Sequence, residues 1–102
     1  MALTKREAEQ RAAALLRIAR PPGARWAIWA AKTMRAPFGW ICVYQSRQYL
    51  ESGEVDYMLV GNGPIVVNGH DGTAVMESHR DSLEDLVARY EREWGRVPDS
   101  AP

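Results

Sequence analysis

Between Gly39 and Asn68 the chain carries an aromatic-rich run, GWICVYQS, then a polar and acidic segment, then Gly61-Asn62-Gly63-Pro64 leading into an unbroken apolar run, Ile65-Val66-Val67. This order constrains the fold more than any other stretch. It reads as two strands joined by a shaped loop. Proline at the head of a strand removes a donor where the ladder least needs it. Glycines in the approach suit a turn requiring positive φ. In the first strand, about Gly39 to Ser46, alternation puts Trp40, Cys42 and Tyr44 on one face and Ile41 and Val43 on the other. Both faces are apolar, which predicts a central strand covered on at least one side.

The flanks complete the pattern. Thr4 and Glu7 form a capping-box spacing. Ala8, Ala12, Leu15 and Ile18 or Ala19 recur at helical intervals. Pro21-Pro22-Gly23 ends the ladder, so a helix is predicted over about 4–19. Arg25 to Thr33, with its aromatic and branched residues, suits a strand. Met34 to Phe38 contains a proline and reads as a turn. The simplest pairing is then an antiparallel hairpin of Arg25–Thr33 against Gly39–Ser46. Arg47 to Val60, interrupted by Gly53, reads as a loop with a helical turn. Gly63 or Pro64 to Asn68 is a third strand, Asn68-Gly69-His70-Asp71-Gly72 a tight turn, and Thr73 to Ser78 a fourth strand. Ser82 with Asp85 is a weaker capping box ahead of Leu83, Leu86, Val87, Tyr90 and Trp94, with Gly95 as the C-terminal stop. The expected fold is therefore α+β: one domain over 1–96, ordered α-β-β-β-β-α. A four-stranded antiparallel sheet is packed by N- and C-terminal helices, and 97–102 forms a short flexible polar tail. The core is expected at Trp40, Tyr44, Ile65, Val67, Leu86 and Tyr90.

A length of 102 residues supports one modest core. No apolar run approaches the ~20 residues needed to span a bilayer. MALTKREAEQR turns charged at once and lacks the apolar core of a signal peptide. The single cysteine, Cys42, makes no intrachain disulfide. These features predict a cytoplasmic protein with no membrane association. Net charge is zero, yet residues 1–50 carry net +7 and residues 51–85 net −7. Either the two regions pack together and neutralise each other, or one presents a charged face to a partner.

Candidate chemistry is sparse. A nucleophilic triad would need Cys42 with His70 or His79 and a carboxylate, but Cys42 sits inside an apolar strand with no neighbouring cation to lower its pKa. His70, Asp71 and His79 lack metal-ligand spacing. Glu51, Glu54 and Asp56 could supply acid–base carboxylates, although clustered loop acids usually form a solvated surface or a partner contact. Gly61-Asn62-Gly63 lacks the GK[ST] ending of a phosphate loop. A nucleic-acid reading would use Arg17, Arg20, Arg25, Lys32 and Arg35 with Trp26 and Trp29; overall neutrality and the aromatics' place in the core weigh against it. No enzyme activity, cofactor or metal is expected.

The ordered series Gly39-Trp40, Tyr44-Gln45-Ser46, Tyr49-Leu50-Glu51-Ser52-Gly53, Gly61-Asn62-Gly63-Pro64-Ile65-Val66-Val67, Asp71-Gly72 and a closing helix with Tyr90 resembles the immunity protein 35 family, which includes YrhB-type proteins. The match covers about 38–92. Asn68 departs from the acidic residue the family tends to place before the turn. The resemblance implies a cytoplasmic antidote that binds a cognate toxin of a polymorphic toxin system used in interbacterial competition; a chaperone-like role of the YrhB type and a nucleic-acid-binding module are the alternatives. The expected contact residues are Glu51, Glu54, Asp56, Tyr57 and Asn62, with Tyr57 as an aromatic anchor. An exposed edge strand could also pair two copies into a homodimer.

Overall fold

The computed structural model describes residues 2–78 and 81–98. His79 therefore lies outside the described residues, as does the end of the tail from 99 onward. Helix α1 spans Lys5–Ala19, and both halves of its capping box form: Glu7 N–H donates to Thr4 Oγ1, and Thr4 N–H donates to Glu7 Oε1. Strands follow at Trp26–Ile28 (β1), Met34–Ala36 (β2), Gly39–Cys42 (β3) and Tyr44–Ser46 (β4). Helix α2 is Arg47–Ser52. Then come β5 at Ile65–Asn68, β6 at Ala74–Met76 and α3 at Leu83–Trp94. The molecule is α+β, with its antiparallel four-stranded sheet ordered β2-β3-β5-β6 and a helix at each end of the chain.

Two details of strand pairing differ from the sequence reading. Met34–Phe38 is not all turn. Met34–Ala36 is the edge strand of the four-stranded sheet, and only Pro37 and Phe38 make the connection to β3. The expected hairpin of Arg25–Thr33 with Gly39–Ser46 is also split. Its outer part, β1 with β4, forms a separate two-stranded ribbon. Between the pairs Ile28↔Tyr44 and Met34↔Ile41, one strand advances six residues while its partner advances three. The three surplus residues, Ala30–Lys32, coil into a 3₁₀ turn, and Trp29 N–H to Val43 O at 2.7 Å bridges the break. Such a bulge twists and bends the strand that carries it, and here it separates ribbon from sheet.

The sheet is covered on both faces. Cys42, Ile65 and Val67 pack against Ala8, Ala12 and Leu16 of α1. Ile41 and Val66 pack against Leu86 and Tyr90 of α3. Two-sided burial explains why Ile65-Val66-Val67 is continuously apolar instead of alternating. Of the expected core residues, Tyr44, Ile65, Val67, Leu86 and Tyr90 are buried. Trp40 is half-buried at the α1-side core, its indole N–H donating to Leu3 O. Phe38, assigned to a turn by sequence, is fully buried and stacks with Tyr90 and Trp94. Val97, assigned to the polar tail, is packed down: it is buried and its N–H donates to Pro37 O at 2.7 Å.

Candidate interaction surface

The segment between β4 and β5 is built as a braced projection. Ser46 caps α2, its hydroxyl accepting from Tyr49 N–H at 3.0 Å, and Gly53 closes the helix in the left-handed conformation. A 3₁₀ turn, Val55–Tyr57, follows. The return leg is held by a residue the sequence reading used only as part of a family pattern. Gln45, 4% exposed, donates from Nε2 to Leu59 O at 3.0 Å and accepts Leu59 N–H on Oε1 at 2.7 Å. One side-chain amide thus pairs with both backbone groups of Leu59, as a neighbouring strand would. A buried amide must find partners, so a glutamine inside an aromatic strand was the available signal.

Between these braces the chain presents apolar groups to solvent. Val55, Tyr57, Met58 and Val60 are 73, 44, 39 and 87% exposed. Glu51, Glu54 and Asp56 are exposed among them. Four of the five expected contact residues therefore share one accessible segment. Asn62 behaves differently: it is half-buried and its amide donates to Tyr44 O at 3.2 Å, which ties the segment's end to β4. Gly61 takes the positive φ that the turn requires, at +79. Gly63 does not; it is needed because a Cβ there would run into the carbonyl of Glu77.

The chemistry-bearing residues elsewhere have local partners. The Cys42 thiol is pushed up to about 11 by burial, with Glu9 adding to the effect, so it stays protonated near neutrality. Asp71 sits in the β5–β6 turn and accepts from Thr73 N–H at 2.8 Å, which holds its carboxyl below the usual range. Asn68, the departure from the family pattern, is buried and accepts from His70 N–H at 2.7 Å. Among the described residues, no group of three or more His, Cys, Asp or Glu is arranged to hold a metal ion. No described helix is long and apolar enough to cross a membrane. Ion pairs among the described residues include Lys5–Glu9 within α1, Arg89 of α3 with Glu77 and Asp81, and Arg96–Glu91.

Comparison with curated proteins found no match, and comparison with solved structures found none. The model of one protein family, Immunity protein 35, matches residues 6–95, from the first turn of α1 to the glycine that closes α3. With nearly every element of the fold inside that match, the chain belongs to the Immunity protein 35 family.

Proposed function

We propose that this protein neutralises a cognate secreted bacterial toxin in the cytoplasm of the producing cell, by binding it through the segment Glu51–Val60. The observation that carries this reading is the braced loop, where three exposed acids share one segment with four solvent-exposed apolar side chains. Exposed apolar groups with charged residues among them are what a protein interface needs before its partner arrives. The acids favour a toxin with a basic surface and speed its capture. Tyr57 supplies the rigid aromatic anchor. Neutralisation then requires only that the toxin's working surface be covered, with no reaction by the antidote.

The test is a calorimetric titration of the full chain with the toxin domain encoded beside it. The triple variant Glu54→Ala, Asp56→Ala, Tyr57→Ala should bind at least about 100-fold more weakly, a loss of roughly 3 kcal/mol. Unchanged affinity removes this segment as the contact. The exposure of Val55 and Val60 also favours a second reading, a chaperone-like protein that shields apolar clients. Suppression of aggregation of unrelated proteins, lost in Val60→Asp and accompanied by no tight toxin binding, would establish that reading instead.

A further inference from the structure

One face of α1 is not used by the core. Arg6, Gln10, Ala13, Arg17 and Arg20 recur every three or four residues, which aligns them along one side of the helix. Together with Trp26 and Arg47 they line an open groove of about 390 Å³ between α1 and the β1–β4 ribbon. Among the described residues, Arg6, Arg17 and Arg47 form no ion pair. Arg20 donates to Ala24 O. The groove's acid, Glu9, is already engaged by Lys5 and by the Thr33 hydroxyl. Like charges gathered around a groove repel one another, and a bound acidic segment relieves that repulsion.

The complementary segment is on the same molecule. Glu51, Glu54 and Asp56 project beside exposed Val55 and Tyr57. Trp26 lines the arginine groove and also the adjoining depression of about 410 Å³ that Tyr57 and Leu59 line, so the groove and the base of the loop adjoin at Trp26. A two-fold axis between them sets each loop over the other copy's groove. This is the self-complementary arrangement that closes a dimer. We propose that the free protein forms a two-fold homodimer in which the acidic loop Glu51–Tyr57 of each copy occupies the arginine-lined groove of the other. A nucleic-acid strand suits the groove less well, because its phosphates would run onto the three acids next door. A second copy presents both charges in reversed order. The dimer would cover the loop assigned above to the toxin, but the inference concerns the isolated protein and does not depend on that assignment.

The test is sedimentation equilibrium of the full chain, first at low salt and then near 1 M, where the screening length shrinks to ~3 Å. A dimer that dissociates as salt rises is expected. Arg17→Glu with Arg47→Glu, and separately Glu54→Arg with Asp56→Arg, should each weaken self-association at least about tenfold. Mixing the two variants should restore a dimer, because one loop then meets the unaltered arginine groove and the other, now bearing two arginines, meets the two introduced glutamates. A wild-type chain that stays monomeric throughout overturns the proposal, as does a dimer indifferent to both variants. The same holds if the chain is monomeric and Arg17→Glu with Arg47→Glu loses toxin affinity or retention on heparin; the groove would then belong to the toxin or to a polyanion.

Discussion

Glu77 shows how one carboxylate can fasten two layers. It follows β6 and accepts hydrogen bonds from the Tyr90 hydroxyl and the Arg89 guanidinium of α3, while Arg89 reaches on to Asp81 at 2.9 Å. Burial pushes the Glu77 carboxyl up, but the hydrogen bonds from Tyr90 and Arg89, with the guanidinium charge, outweigh it and hold its pKa below the usual 4.5. A carboxylate whose pKa is depressed by folding adds stability that is complete above its unfolded value and is lost as pH falls through the folded one. Urea unfolding should therefore show the protein weakening below about pH 4.5, the ordinary glutamate value. Glu77→Gln should be about 1–3 kcal/mol less stable at neutral pH, with a flatter acid limb. Equal acid limbs in the two proteins would show that another group sets the pH dependence.

At the scale of elements, periodicity and capping carried the sequence reading a long way. Thr4 with Glu7, and Ser82 with Gly95, mark α1 and α3 because the signals are local. The helical turn after Arg47 was expected within a loop, and Gly53, read as an interruption of the pattern, is the C-cap that ends it. Met34–Ala36 was hidden because its strand character comes from pairing with β3, not from its own residues, and Pro37 beside it suggested a turn. Phe38 was hidden because a two-residue connection is usually exposed, whereas here Tyr90 and Trp94, more than fifty residues away, close over it. In the β4–β5 segment the exposure of the acids and of Tyr57 was legible from their place in a polar loop. The brace that positions them was not, since Gln45 meets Leu59 only after β4 is in place. Gln45→Ala should leave both Leu59 backbone groups without that partner and cost about 1–3 kcal/mol. Hydrogen exchange at Val55–Leu59 should speed up while β3 and β5 stay protected. Unaltered exchange there would mean that the segment holds its shape without the amide.

Across the whole molecule, stability is unevenly distributed. β3 and β5 lie in the middle of the sheet with a helix on either side, whereas the β1–β4 ribbon has two short strands. Amide exchange should be slowest at Ile41, Cys42, Val66 and Val67, and faster by orders of magnitude in Trp26–Ile28, since local opening tracks how few buried contacts an element has. Uniform protection would indicate that ribbon and sheet open only together. The three-residue slip at Ala30–Lys32 then acquires another meaning. The ribbon carries the exposed loop, and it joins the sheet through a splice whose length sets its angle and register. Shortening or lengthening that splice would swing the loop to a new bearing while Ile41, Val66 and their helices stay as they are. On the binding role proposed above, such a change would re-aim the loop toward a different partner without rebuilding the body behind it.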